Sequence, residues 1–546
     1  MFRCSASERP ADLFSRFESH LSDRKQRQLN DSKAWHNLVY EQITSKIDEA
    51  CFAGLYARDN GRPNASIRQL VTMMILKEGF GWSDEHLFEQ CRFNVLTMRA
   101  LGLMNLNDEI PTESTYYLFK QLHYSYQLQT GQDLMGRTFA DLTQAQAELF
   151  GVSGQRIRMD SKLIGSNIAT CCRLQLIVSC VQAFWQSLSE HQLQRVPQQA
   201  RLILDALSVQ KPHQVVYRLH SDEKQAKLEQ FGLLLCLLVE RFTDEDSDQY
   251  GLIRRVYEEQ YTLCDEKVLP RSPQEIAAGS LQSVHDGDAA YRKKADKQVK
   301  GYSVNLTETC HEGALNLVTD VKVLPATAGD QDFVQPAIVQ TETIVGPVKE
   351  VSMDGGYQSQ DNWAYAESRN MQLHYGGMSG ERGRFLYERT PSGKVNVIDR
   401  QTGEVIEAVA YKPGKYRFMV DGKTRYLTEQ TIETGDKRTR IEQLPDWIRN
   451  RRHNVEASLF QLSYHTRNNK TRYRGRLAHQ AWAFCRAAWI NLVRIKNYLA
   501  GPLSAPSMAK EACADAKRFI FNRKSFWVAF FAAIGSPGTK ITATAP

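Results

Sequence analysis

Gln155-Arg-Ile-Arg-Met-Asp-Ser-Lys-Leu-Ile164 alternates polar and apolar residues with a period of two, the pattern of a strand with two unlike faces, and carries Asp160 near its centre or end. A second stretch, Val351-Ser-Met-Asp-Gly-Gly-Tyr357, closes an apolar strand on Asp354, with Gly355 and Gly356 leaving room at its end. A carboxylate ending a buried strand is costly unless it is paired, hydrogen-bonded or bound to a cation. Two of them side by side repel as bare anions, and a divalent metal removes that repulsion. Capping of the following turn is the alternative for each aspartate taken singly.

Outward from these strands the texture is mixed. Strand patterns recur in Ser283-Val-His-Asp286, Tyr302 to Leu306 and Leu315 to Val323, and Phe333 to Ile344 reads as a connecting helix. A helical block runs from about Cys171 to Ile276 and contains the apolar Gly232 to Val239 segment, read as a buried helix. Residues 385–428 are short strands separated by Pro-Ser-Gly, Gln-Thr-Gly, Lys-Pro-Gly and Asp421-Gly422, hence a β-meander. Helical periodicity returns from Asp446 to about Asn497, and the tail after Gly501 reads as a peripheral appendage. Residues 13–125 are helical, with Ile67, Leu70, Val71, Met74 and Ile75 at helical spacing, a break at Gly79 and Gly81, and Ser83 as the N-cap of a new helix. Such a helix, break, helix pattern suits either DNA reading or ordinary packing.

The chain has 546 residues, 42% hydrophobic and 24% charged, ample for a large core. Apolar runs such as Phe231 to Val239 and Phe526 to Ile534 fall far short of the roughly 20 residues that span a bilayer. Eleven cysteines without a CxxC pair read as reduced thiols. The net charge is only +7, yet residues 449–476 alone hold eight bases against the single acid Glu456, which is the whole surplus. Phe460, Tyr464 and Tyr473 interleave with those bases. A solvated basic face is the ordinary reading; a lone helical glutamate there also suits a metal site beside a phosphate-binding surface. Gly422-Lys-Thr424 is a hairpin turn and Asp244 to Asp248 a solvated acidic loop, and no Gly-x-Ser-x-Gly, HExxH or cysteine-histidine ligand set occurs.

Strand aspartate, strand aspartate followed by Gly-Gly-Tyr, and helix glutamate in a basic context resemble the triad of bacterial insertion-sequence DDE transposases, built on a ribonuclease-H-like core. Arg158 to Ala169 resembles that family's first-aspartate motif, and His285-Asp-Gly-Asp-Ala-Ala-Tyr291 with Lys300 to Leu306 its second and third strands. Leu324 to Asp332 resembles the approach to its core helix, Asn454-Val-Glu-Ala-Ser-Leu-Phe460 with Thr471 to Gly475 its glutamate motif, and Ile67 to Leu103 with Pro111 to Tyr116 its N-terminal helical domain. The arginine four residues before the glutamate is matched by Arg452; the family's tyrosine and lysine seven residues to either side are here Arg449 and Ser463. No cysteine lies between Asp354 and Glu456, so zinc is not expected there.

The resemblance implies an α/β chain with a ribonuclease-H-like mixed-sheet core and two insertions. The units are an N-terminal helical DNA-binding domain over 1–125, a connector over 126–152, core over 153–170, a helical insertion over 171–280, and core over 281–380. A β-rich insertion over 381–444, a glutamate-bearing helical part over 445–500 and a tail over 501–546 complete it. Asp160, Asp354 and Glu456 are then catalytic and hold two magnesium ions, with manganese a substitute, while Asp286 and Asp288 are neighbours of the site. Arg449, Arg452, Lys470, Arg472 and Arg474 would contact DNA. The implied partner is double-stranded DNA, both terminal inverted repeats and target, bound by a homodimer, with no membrane. An amino terminus without an apolar segment leads to the expectation of a cytoplasmic, nucleoid-associated protein. A catalytically inactive DNA-binding derivative and a metal-dependent nuclease without strand transfer are the alternatives.

Overall fold

A computed structural model describes residues 1–4, 16–294, 297–377, 383–390 and 392–501. The tail expected over 501–546 therefore lies, beyond Gly501, outside the described residues. The helical N-terminal region contains α1 (Ile67–Phe80), α2 (Asp84–Phe93), α3 (Glu113–Thr130) and α4 (Leu134–Phe150). α1 ends on Gly81 in the left-handed conformation, at φ 72°, where a side chain would be strained. The Ser83 hydroxyl then accepts the His86 amide at 3.1 Å and opens α2, as its sequence context predicts.

After α4 comes β1 (Arg156–Gly165), then α5 (Arg173–Ser187), α6 (Ser221–Arg241) and α7 (Asp248–Gln260). These three helices share a core of their own, around Ile177, Val181, Phe184, Leu235, Leu238 and Ile253. Two expectations need correcting here. The helical block ends at Gln260 rather than near Ile276, because Tyr261–Cys264 and Lys267–Pro270 pair as a hairpin. Its two turn residues, Asp265 and Glu266, both take positive φ, the geometry of a tight hairpin turn. The Gly232 to Val239 segment is buried on one side only: Leu234, Leu235 and Leu238 face the core while Leu233 is 63% exposed.

The central sheet continues with β2 (Ala290–Lys294), β3 (Lys297–Thr309), β4 (Val318–Pro325), β5 (Glu350–Met353) and β6 (Gln372–Tyr375), with α8 (Val334–Val345) between β4 and β5. The order is β2-β3-β1-β5-β6, and β4 pairs the second half of β3 on the same edge as β2. β1, β3 and β4 are antiparallel; β5 and β6 run parallel to β1. Alternation sends Ile157 and Met159 of β1 into a core with Val334, Ala337 and Ile338 of α8. The opposite face carries Arg158, Asp160 and Lys162 toward α9 (His453–Leu462). Ser283 to Asp286, expected as strand, is a turn: its buried Asp286 collects donors from the amides of Ala289 (3.1 Å) and Gly475 (2.9 Å), the Tyr302 hydroxyl (2.5 Å) and the Ser166 hydroxyl, so the backbone bends round the carboxylate.

A five-stranded antiparallel meander, β7 (Phe385–Arg389), β8 (Val395–Asp399), β9 (Val405–Lys412), β10 (Lys415–Val420) and β11 (Lys423–Thr428), closes on the Glu429–Gln443 helix around Val397, Phe418 and Ile432. The helical stretch expected from Asp446 to Asn497 is interrupted by the 463–475 loop before α10 (Arg476–Leu499). α10 packs on α1, α4 and β4, so the N-terminal helices and the antiparallel half of the sheet share one core. A Cβ on Gly79 would overlap the Trp489 indole, which is how closely α1 and α10 approach.

One buried cluster sets where α9 lies. Glu308 on β3, with its side chain fully buried, accepts from Arg158 of β1 (2.6 Å), Arg494 of α10 (2.5 Å) and Ser458 of α9 (2.7 Å). Arg158 also donates to the Arg451 carbonyl at 3.1 Å, and Arg451 in turn holds Glu350 of β5 at 2.8 Å. Removing the carboxylate strands two guanidiniums away from water. Glu308→Ala is expected to cost about 3–5 kcal/mol, read as a lowered urea midpoint by the fluorescence of Trp482 and Trp489 on α10. An unchanged midpoint would show that the cluster does not hold the helices to the sheet.

Candidate active site

The geometry of the site begins with strand register. Arg158 pairs with Ser352 across the parallel β1–β5 ladder. Two residues further along each chain stand Asp160 and Asp354, in the same phase and so on the same face. β5 stops at Met353, and Asp354 turns the chain into the Gly355–Tyr357 turn, its carboxylate accepting the Gly355 amide at 2.8 Å. Asp160 likewise accepts the Ser161 amide at 2.8 Å. Glu456 lies in the first turn of α9, on the exposed side of that helix, while Val455, Ser458 and Leu459 face inward.

These three carboxylates feel one another. Burial pushes the Asp160 carboxyl up to about 6, and the charges of Asp354 and Glu456 push the same way; the Ser161 amide and Arg452 only partly oppose them. The Arg452 guanidinium is 3.8 Å from Asp354 and passes over Gly376, where a Cβ would stand 2.6 Å from its Nε. The structure thus brings Asp160, Asp354, Glu456 and Arg452 to one place.

A fourth acid, Asp330, stands beside them, and sequence reasoning missed it. It accepts the Ser161 hydroxyl at 2.6 Å, and a Cβ on Gly356 would lie 2.9 Å from its Oδ2, so the glycine after Asp354-Gly355 makes room for this carboxylate. Beneath the group, the buried Tyr357 phenol donates to Asn305 at 2.7 Å; burial, then Asp160 and Asp330, raise it well above its ordinary range. The signal in the sequence was the Gly-Asp-Gln-Asp run after β4, which nothing local ties to Asp160. Asp286, expected as a neighbour of the site, is a buried anchor whose carboxylate is taken up by four donors.

The basic segment behaves differently from its sequence. Arg449 pairs with Asp446 on its own helix. Arg472 donates to the Trp82 carbonyl at 2.5 Å and to the Gly81 carbonyl at 3.1 Å. Arg474 donates to the Asn167 carbonyl at 2.8 Å, and Lys470 to the Ile168 carbonyl. All four therefore have protein partners, three of them as clamps that hold the 463–475 loop against β1's end or the α1–α2 corner. Their charge is not neutralised by a carbonyl, so the surface stays positive while the side chains are fixed.

Among the described residues no three acidic, histidine or cysteine side chains converge closely enough to enclose a metal ion. The donor chemistry nevertheless fits a hard divalent cation: the groups are carboxylates only, and Asp160, raised first by burial and less by the charges of Asp354 and Glu456, forms no ion pair among the described residues. Among the described residues no helix is long and apolar enough to cross a membrane.

The central strand and its parallel neighbour thus present aspartates on one face, beside a glutamate-bearing helix, the three residues on which the resemblance rests. Comparison with known proteins agrees at the level of the N-terminal region: residues 26–122 match the family described as "Transposase domain (DUF772)". The match spans α1 and α2 and most of α3, and it bears out the resemblance to insertion-sequence transposases. No curated protein and no solved structure matches the chain.

The Asp160 carboxyl near 6, against an ordinary value near 4, keeps its proton in the folded protein over a range where the unfolded chain has lost it. It therefore subtracts from stability increasingly as the pH rises from about 4 to 6, and fully above that. Asp160→Asn is expected to raise the unfolding free energy at pH 7.5 by no more than roughly 3 kcal/mol, read as a higher urea midpoint, with the gain vanishing near pH 4. A variant less stable than wild type at neutral pH would contradict the unpaired, desolvated carboxylate.

Proposed function

We propose that the chain is the DNA transposase of an insertion sequence, cleaving transposon ends and joining them to target DNA on a ribonuclease-H-like core of the DDE type. The observation that carries this reading is the facing pair Asp160 and Asp354 on adjacent parallel strands, with Glu456 brought over them by α9. The sheet order supports it: the first core strand lies at the centre, the antiparallel set β3, β4 and β2 lies to one side, and two parallel strands lie to the other. The transposase match over 26–122 supports it independently, because it falls on helices that contribute none of the three acids.

In this reading Asp160, Asp354 and Glu456 hold two magnesium ions, or manganese in their place. These ions would supply activation of the attacking water or 3′-hydroxyl and stabilisation of the leaving oxygen in an in-line displacement. The protein's own part is positional. Burial of Asp160 makes it bind a proton or a cation avidly, and Arg452, fixed over Gly376, limits the repulsion when both are absent. The Glu308 cluster fixes α9 against β1, so the backbone of Glu456 is held near Asp160 and its side chain closes the site. The N-terminal helices are assigned to reading the terminal inverted repeats. The α5–α7 block and the β7–β11 meander, each with its own core, are assigned to DNA-end or dimer contacts between two bound copies. Such work on chromosomal DNA places the protein at the nucleoid.

The test is a supercoiled plasmid assay with a labelled transposon end and magnesium. The expected result is joined product from wild type, with Asp160→Asn, Asp354→Asn and Glu456→Gln each losing cleavage by at least about 100-fold while still binding the end. Cutting without joining would make the chain a plain nuclease, and binding alone a transposase-derived DNA binder. Retained cleavage by any one variant would remove that residue from the site.

A further inference from the structure

Two adjoining clefts run from the carboxylate site along the outer side of the β2–β3 hairpin, one of about 240 Å³ and one of about 360 Å³, and they share Lys297, Val299 and Asn469. The first opens beside Ser161 and Asp330, next to Asp160; the second ends at Ile168 and Thr170. Together they form one groove lined by Lys162, Arg292, Lys294, Lys297, Lys300 and Lys470, and its single acid among the described residues, Asp330, sits at the catalytic end.

We infer that this groove is the track for a DNA phosphate backbone leading into the carboxylate site, an assignment that rests on the transposase reading. Three observations support it. Lys294 and Lys297 are exposed and form no ion pair among the described residues. The ladder also sets Lys294 directly opposite Lys297, a like-charge pair that weakens a hairpin and so has no folding rationale. And Lys162, which lines the same cleft, donates to the Ser463 hydroxyl at 2.6 Å at the end of the glutamate helix, so a further ammonium is fixed along the path to the carboxylates.

The shape selects the partner. A lone phosphate would call for buried donors converging on one point; here the bases are strung along a groove, three of them already holding backbone carbonyls with their charge unspent. That suits a polyanion with regularly spaced charges. The reversal of sign at the Asp330 end suits a polymer whose reacting phosphodiester must meet a cation-binding site, which an acidic peptide has no reason to reach. None of this was visible in the segment 449–476, to which the sequence had drawn the DNA contact; of its bases only Lys470 lines the groove.

The test uses the full chain and a short fluorescent DNA duplex of arbitrary sequence, with affinity followed by anisotropy across a salt series. Removing two phosphate contacts in Lys294→Ala/Lys297→Ala is expected to reduce the slope of log K against log salt by roughly 2, with the urea midpoint unchanged and Lys294→Arg/Lys297→Arg restoring the slope. An unchanged slope overturns the groove. So does equal affinity for a duplex RNA of the same sequence with the same loss of slope, which would make the surface an RNA or general polyanion site. Cleavage assayed in parallel separates the two claims: wild-type cutting with an unchanged slope overturns the groove alone, and a changed slope in a protein that never cuts supports the groove and counts against the transposase reading.

Discussion

A carboxylate with no access to water holds the arrangement together. Glu308 meets Arg158, Arg494 and Ser458 at once, from β1, α10 and α9, so two strands and two helices converge on a pair of oxygen atoms. Burial alone would push this carboxyl up, and the two guanidiniums with the serine outweigh it and hold it below its ordinary value. Each member is costly without the others, because an unpaired buried charge loses several kcal/mol of hydration. An apolar substitute of the same volume could stabilise as well, but it would not fix the rotation of α9 about its axis, and that rotation decides whether Glu456 looks toward Asp160.

The contrast with Asp160 is informative because the two acids share a face of the sheet. Arg158, two residues before Asp160, spends its charge on Glu308, and no arginine of β1 is left for the aspartate. One carboxylate is therefore overcompensated and the other left deficient, within a few ångströms of the same strand. Folding favours the first pattern and pays for the second, which is what distinguishes an acid kept for a ligand from an acid kept for the fold. Arg452 moderates the deficit without closing it, since it stands 3.8 Å from Asp354 and its stem is fixed over Gly376.

A similar economy of arginine joins the N-terminal helices to the sheet. Arg486 of α10 is buried and donates to the Glu78 (2.6 Å) and Gly79 (3.1 Å) carbonyls at the end of α1 and to the Leu462 carbonyl (3.0 Å) at the end of α9. The last carbonyls of a helix lack partners within it, and a cation there also meets the negative end of the dipole. One guanidinium so serves two helix ends, and it locks the transposase-matching region to the helix that carries Glu456. Arg472 and the bond from the Tyr473 hydroxyl to Glu78 repeat the tie from the neighbouring loop. Movements of the α1–α2 corner would thus be felt at α9 through side chains rather than through a flexible linker.

Much of this was legible in sequence because it is periodic or local. Alternation marked β1 and put Asp160 on one face; the apolar run ending in Asp-Gly-Gly marked β5; turn residues marked the meander strand by strand. What could not be read was pairing at long range. Arg158 and the Arg451 carbonyl are 293 residues apart, and nothing in the Asn-Leu-Thr-Glu-Thr run around Glu308 separates it from an ordinary strand residue. The basic segment misled for the same reason: a count registers charge but not the carbonyls that Lys470, Arg472 and Arg474 were to meet. The five bases of β2–β3, spread over a shorter stretch, drew no attention in a tally, yet the ladder sets two of them, Lys294 and Lys297, opposite each other. A charge that the fold leaves unpaired says more about a partner than a charge that the composition makes abundant, and here Lys294 and Lys297 line the same cleft that opens beside Ser161 and Asp330.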